Sequence, residues 1–329
     1  MNIVKVVKFH VKYLALYISH IFKRIQMELC VMKELISKIF GWKKSNIDVY
    51  KLAYEKFGGG VNNHPEILQY LINKKICKIK FYHYKKNDVI EGAYFKNEKG
   101  KIGLDVWRTY PVTYDEIVLP LNEGMKFTIP AKSNRLSQRN SKSIYNSSFS
   151  RSSKNEVCLI KDSFTKKTQK TRRNEYNKFI SAGGSVRDVC ELTPAELADI
   201  YIFLFKKRFE NNVICYEKQV LVDIISRFNH MIFGHVLFVN GVSPIAYDLI
   251  FKAECHKWVY FDVPNGGVDP DFSHLSPGSV LMWLNITLAQ KLCQEKNKKM
   301  YFSLGLYKPA WDYKLRWCEK IKLGKVFFI

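Results

Sequence analysis

The sequence predicts a mixed α+β chain built from two related α/β halves, and three observations lead to that reading. First, residues 76–95 (ICKIKFYHYKKNDVIEGAYF) and 232–251 (IFGHVLFVNGVSPIAYDLIF) both read strand, Asn-containing turn, strand, with an isoleucine and an alanine just after the turn. A helix-patterned stretch precedes each, as a duplicated unit requires. Second, nine of the 23 residues from Ala131 to Ser153 are serine, and apolar periodicity stops there. Such a segment reads as an exposed connector between folded halves. Third, Leu275 to Trp317 joins a long amphipathic helix, a short apolar strand and a dense aromatic and basic cluster. The divisions that follow are a basic helical extension at 1–44, an N-terminal half at 45–130, a connector at 131–160 and a C-terminal half at 161–329.

The extension carries nine basic residues (Lys5, Lys8, Lys12, Lys23, Arg24, Lys33, Lys38, Lys43, Lys44) against Glu28 and Glu34. Lys5, Lys8, Lys12, Ser19 and Lys23 fall on one helical stripe. The longest uncharged run, Tyr13 to Phe22, is about half the roughly 20 residues that span a bilayer. No small-residue cleavage site follows it, which argues against a removable signal peptide. The pattern fits a basic amphipathic helix lying on an anionic membrane, each cation contributing about 1 kcal/mol at most. Packing on the folded body, or a start of translation at Met27 or Met32, fits it as well.

Within the first half, Val49 to Phe57 reads as a helix stopped by Gly58, Gly59 and Gly60. The glycines lack the Gly-Lys-Ser/Thr ending of a phosphate loop and read as a flexible connector. Asn63 to Asn73 is a short helix, then comes the first strand–turn–strand, with further strand-like pieces to Pro130. In the second half, Phe164 to Ser181 is a basic helix ended by Gly183-Gly184, and Ser185 to Val189 a short strand. Thr193-Pro194-Ala195-Glu196 is a capping box with proline at the first helical position. Leu197, Ile200, Tyr201, Leu204, Phe205 and Arg208 continue that helix's face. Asn240-Gly241 turns the second hairpin, being the dipeptide that best accepts positive φ. Lys257 to Val263 is a strand, and a loop containing Gly266-Gly267 leads to Ser276.

The formal net charge of +23 favours an acidic partner: nucleic acid, anionic lipid or an anionic cofactor. A chain rich in Lys, Asn, Ile and Tyr throughout also raises the charge without a dedicated patch, so local clusters weigh more. From Ala131 to Lys178 there are thirteen basic residues against three acidic. Lys170, Arg172, Arg173 and Lys178 in the basic helix suit a polyanion. The eight cysteines are never closer than 25 residues, and no HxxxH or HxH occurs. Free thiols and no metal site are expected.

The Leu275 to Trp317 block holds the candidate site. Ser276 is placed to cap a helix beginning at Pro277, whose buried face is marked by Leu281, Leu284, Leu288 and Leu292. Ser276, Gly278 and Ser279 surround the exposed N–H groups of that helix start, which suit a phosphate. A plain cap gives the same pattern. The strand Met300 to Leu304 is broken by Gly305. Asp312, Tyr313 and Lys314 are the candidates for polar catalytic work, with Tyr307 behind them; packing of a last short helix accounts for Tyr313 equally well. Asp248 and Asp262, in strands, are candidate general bases if partly buried.

These motifs resemble a known family. LSPGSVLMWLNITLA, the Gly305 break after a strand, and DYKLRW are similar to the C-terminal half of the FemAB-like branch of the GNAT acyltransferase superfamily. Within it, NNHPE at 62–66, IPAKSNRLS at 129–137, YNKFISAGGSVRD at 176–188 and NGGVDP at 265–270 resemble the macrophage-inducible antimicrobial-peptide resistance family of bacteria. The likeness runs from about Gly41 to the C-terminus. It implies tandem GNAT-like halves, and acyl-CoA or aminoacyl-tRNA as donor, with Ser276, Gly278, Ser279 and Gly305 at the cofactor site. The usual Gln/Arg-x-x-Gly-x-Gly/Ala signature is absent. The resemblance further implies a cytoplasmic protein, peripheral on the cytoplasmic membrane, that protects against cationic peptides. Three functions are compatible: an acyl- or aminoacyl-transferase acting on an envelope component, a non-catalytic membrane-associated GNAT-fold protein, and a DNA-binding transcriptional activator. No helix-turn-helix or zinc finger supports the last.

Overall fold

The computed structural model describes residues 19, 21, 32, 35–149, 155–210 and 212–328. Most of the expected amphipathic extension lies outside the described residues. Its end belongs to the folded body, because Trp42–Ser45 (β1) pairs antiparallel with Ile79–Lys86 (β2). Among the described residues no helix is long and apolar enough to cross a membrane.

In the first half, β2 pairs in turn with Val89–Asn97 (β3). The turn between them puts Asn87 and Asp88 at φ 49° and 59°, the conformation a tight two-residue hairpin needs. Helix α1 (Ile47–Phe57) starts where Asn46 accepts a hydrogen bond from Val49 N, and α2 (Pro65–Asn73) follows. The triple glycine between them is buried rather than a flexible connector. Trp258 Nε1 donates to Gly59 O at 3.0 Å, and a Cβ on Gly58 would lie 2.4 Å from the Trp258 ring. The glycines are there so that an indole from the second half can close on the backbone. Residues 98–130 hold isolated bridges such as Gly92↔Leu121 instead of the expected strands. Pro111, Pro120 and Pro130 interrupt any ladder there.

The serine-rich segment is not an exposed connector. It supplies β4 (Ser133–Leu136) and β5 (Ser147–Ser148), and Ala131, Leu136, Ser137, Asn140 and Ile144 are all buried. Serine and asparagine side chains here satisfy backbone rather than water: Asn140 Nδ2 donates to Leu119 O at 3.0 Å and its Oδ1 accepts from Leu119 N at 2.8 Å. Polar composition here does not mean solvation.

The second half carries a larger sheet. Its strands are β6 (Glu156–Ile160), β7 (Gly184–Asp188), β8 (Ile232–Phe233), β9 (His235–Val239), β10 (Ser243–Glu254), β11 (Trp258–Val268), β12 (Lys299–Leu306) and β13 (Cys318–Lys322). The order is β13-β6-β12-β11-β10-β9-β7, with β8 paired to β10. The final strand, β14 (Gly324–Val326), lies between β4 and β5. The helices are α3 (Lys166–Ser181), α4 (Pro194–Phe209), α5 (Lys218–Arg227) and α6 (Pro277–Glu295). The capping box forms as expected, with Glu196 N on Thr193 Oγ1 at 3.2 Å and Thr193 N on Glu196 Oε2 at 2.7 Å. β11 and β12 run parallel, and α6 is the crossover that parallel neighbours require.

Side chains alternate across this sheet. Tyr247, Leu249 and Phe251 of β10 join the core shared with α4, α5 and the first half, while Ala246 and Ile250 face the side of α6. On α6 the buried residues are Pro277, Val280, Leu281, Asn285, Ile286, Ala289 and Cys293, and Leu284, Leu288 and Leu292 flank them half-buried. The buried stripe centres on Asn285 because its Oδ1 accepts from His235 N at 3.0 Å, tying the helix to β9.

Gly266 and Gly267, expected in a loop, lie inside β11 opposite Asp248 and Tyr247. A Cβ on Gly267 would sit 2.4 Å from the Leu204 backbone, so α4 rests directly on the strand. Gly267→Ala should therefore cost about 1–3 kcal/mol in urea unfolding. Gly278→Ala, whose Cβ meets only Val268 at 3.4 Å, should leave the midpoint unchanged.

Candidate active site

The two parallel strands part. They pair from Trp258↔Lys299 to Asp262↔Ser303. Beyond that point β11 continues along β10 to Val268↔Ala246, while Leu306 of β12 turns to Val157 of β6. The fork opens on Asp262 and Ser303. Gly305 makes the turn possible: it is a bulge at φ 75°, not the end of the strand.

An arm of the first half, Thr113 to Glu116, enters this fork. Thr113 Oγ1 donates to Asp262 Oδ2 at 2.5 Å. Leu306 N donates to Asp115 Oδ2 at 3.2 Å, and a Cβ on Gly305 would lie 2.5 Å from that oxygen. Tyr260 OH donates to Glu116 Oε2 at 2.6 Å. Behind the arm, Asn62 Nδ2 donates to the Thr113 carbonyl. Arg139 lies over Trp258 at 3.9 Å and over Tyr301 at 4.6 Å, closing the other side of β11 and β12.

Asp262 is 3% exposed. Burial pushes its carboxyl up to about 7; the neighbouring Asp115 and Glu116 push the same way, against the Thr113 hydrogen bond and the Lys314 charge. Burial also raises Asp115 and Glu116. Asp248 stands beside Gly266, where burial lifts it to about 6 against the pull of Arg208. Lys314 is buried, and desolvation lowers it below the usual lysine range. Its Nζ donates to Leu304 O at 2.5 Å and Leu306 O at 3.1 Å.

Of the predicted catalytic residues, the structure brings Lys314, Asp262 and Tyr313 toward the fork. Tyr313 is exposed, and its hydroxyl accepts from Arg208 Nη2 at 3.1 Å, while Arg208 Nη1 donates to Gly266 O at 2.9 Å. Arg208 thus spans the two sides of the opening. Asp312 faces away, accepting from Tyr307 OH at 3.0 Å on the surface. Thr113, Asp115 and Glu116 escaped the sequence reading. No local pattern marks them, since their partners lie on β11 and β12.

The α6 start differs from expectation. Ser276 has φ 52° and its side chain makes no cap hydrogen bond. Its carbonyl instead accepts from Ser279 N at 3.0 Å and Val280 N at 3.1 Å. Pro277 has no N–H, so among the described residues Gly278 N is the donor of this turn with no partner. On α3, Lys170, Arg173 and Lys178 are exposed, and Lys178 Nζ reaches His274 O at 2.9 Å, beside the α6 start. Arg172 is turned inward, paired with Glu175 at 2.9 Å and lying 5.2 Å over Trp317. A cavity of about 480 Å³ lies at the other end of α6, between Gly234, Lys252, Leu288 and Leu292, and none of these site residues lines it.

This architecture is a tandem GNAT-like (FemAB-like) fold. The solved structure of FemX aligns with 88% of this chain and 97% of its own at TM-score 0.57 and 7% identity, a likeness of fold alone. Looser likenesses link it to L-PGS from Bacillus licheniformis (11% identity, 86% of this chain and 92% of that one, TM-score 0.43). They extend to a tandem GNAT protein from the clavulanic acid biosynthesis pathway (9% identity, 86% and 97%, TM-score 0.40). A profile of the Mig-14 family matches residues 64–326, and the chain belongs to that family. No curated protein sequence matches it.

The raised Asp262 makes a prediction of definite sign. An acid with a folded pKa of about 7 holds its proton in the native state while the unfolded chain releases it near 3.9. Stability from this group is therefore full below about pH 4 and falls as pH rises through 7. Asp262→Asn should melt above wild type at pH 8, and the difference should vanish toward pH 4.

Proposed function

We propose that this protein is an acyl- or aminoacyl-transferase whose reaction centre is the fork between β11 and β12. One observation carries the reading: the parallel strands part at Asp262, a buried carboxyl lifted to about 7, with the buried Lys314 ammonium beside the same fork. A base poised near neutrality and a nearby cation are what acyl transfer needs. Asp262 takes the proton of the acceptor nucleophile as it attacks the donor's ester or thioester carbonyl. The new bond to carbon forms, the bond to the leaving oxygen or sulfur breaks, and Asp262 returns the proton to that leaving atom. Lys314 has three N–H donors, two of them on Leu304 O and Leu306 O, which leaves one for the developing oxyanion.

The donor's charge decides between the two donor classes. A CoA pyrophosphate would find the Gly278 N–H at the α6 start, since Ser279 and Val280 bond to Ser276. A polyanion would find Lys170, Arg173 and Lys178 exposed along α3, leading to that same turn. This favours aminoacyl-tRNA, bound along α3 with its acyl end in the fork. Transfer of an amino acid to an anionic envelope component adds an ammonium and lowers its negative charge. Cationic peptides are then attracted less, which accounts for a resistance role. The basic segment at 1–44 would hold the enzyme against the cytoplasmic face of the membrane that bears the acceptor.

Charged tRNA should bind in a salt-dependent manner, and the Lys170→Glu/Arg173→Glu protein should bind more weakly with a shallower salt slope. Asp262→Asn should bind it as wild type does, yet transfer about 100-fold more slowly in single-turnover assays. Equal transfer by Asp262→Asn, or no binding of charged tRNA or acyl-CoA by wild type, would remove the reading.

A further inference from the structure

The base belongs to the second half, but the hydroxyl that holds it comes from the first. We infer that Thr113, backed by Asn62, is a positioning residue for proton transfer: it fixes Asp262 by Oδ2 so that Oδ1 faces the reacting group. The inference rests on the transferase reading above. A carboxylate rotates broadly about its last torsion, so an unheld Asp262 would present either oxygen in any direction. The 2.5 Å bond from Thr113 Oγ1 removes that freedom. Thr113 is itself pinned, its carbonyl accepting from Asn62 Nδ2, which also donates to Leu104 O at 3.3 Å. Asn62 and Thr113 are 2% and 8% exposed, so neither hydrogen bond competes with bulk water. The charged and titratable groups facing Asp262 come from four elements. Asp115 and Glu116 lie on the Thr113 arm, Lys314 on the C-terminal turn, and Tyr260 and Tyr216 on β11 and the loop after α4. The hydrogen bond onto the Asp262 carboxylate comes from Thr113. A merely structural threonine at an interface would matter for stability and not for the titration of Asp262.

The test uses the full chain with ¹³C-labelled aspartate, the Asp262 carboxyl being assigned by its loss in Asp262→Asn. Thr113→Val keeps the shape and removes the hydroxyl; Thr113→Ser keeps the hydroxyl. Removing a hydrogen bond to the charged form raises a carboxyl's pKa, so Asp262 should titrate about half a unit or more higher in Thr113→Val and as in wild type in Thr113→Ser. With charged tRNA as the donor probe, Thr113→Val should transfer about tenfold more slowly at saturation with unchanged KM, its acidic limb moving with the titration, and Thr113→Ser should restore both. An unmoved Asp262 titration in a folded Thr113→Val protein overturns the inference. So does a loss of rate that Thr113→Ser fails to restore. A moved titration together with full transfer by Asp262→Asn overturns the transferase reading instead, and with it the use of the contact in catalysis.

Discussion

The structure depends on one constraint: a row of carboxyls from the first half must be buried in the parted strands of the second. Asp115 fits because Gly305 has no side chain, and Thr113 fits because Asp262 offers an oxygen. Burying a carboxylate without partners costs several kcal/mol, so this junction tolerates its acids only through donors. Tyr260, Leu306 N and Thr113 each supply one. The residual strain appears as protons held to higher pH at Asp262, Asp115 and Glu116. The same arrangement that locks the halves together therefore produces a carboxyl able to exchange a proton near neutrality.

Much of the fold was legible because it is local. The Asn87-Asp88 and Asn240-Gly241 turns, the Thr193 capping box and the Pro277 helix each rest on chemistry within four or five residues. What misled was polarity and glycine read without partners. Serine and asparagine at 131–148 bond to backbone inside the protein, and so did not signal solvent. Gly58–Gly60 and Gly266-Gly267 read as loops, yet they are places where an indole or a helix backbone closes on the chain. The glycine contacts join residues more than 60 positions apart and the Asn140 contacts join residues 21 apart, separations that no local pattern encodes.

The candidate site divides in the same way. Asp262 is legible as a charge in an apolar strand and Lys314 as part of the aromatic and basic cluster after Gly305, and the structure brings both to the fork. Asp312 was chosen for its neighbours in sequence and turns outward to Tyr307. The Thr113–Glu116 arm was invisible, because nothing in TYDE announces burial; its meaning comes from β11 and β12, some 150 residues later. The cap at Ser276 failed for a backbone reason, a left-handed φ that turns its carbonyl, not its hydroxyl, into the helix start.

In the proposed reaction the donor's reacting end lies in the fork while its charge lies on α3. Hydrogen–deuterium exchange with a non-hydrolysable aminoacyl-tRNA analogue tests it most directly. Exchange should slow at the backbone amides of 263, 265–268 and 304–306 together with the exposed face of α3, and not around the cavity at the far end of α6. Protection confined to that cavity, or on α3 without the fork, would contradict it.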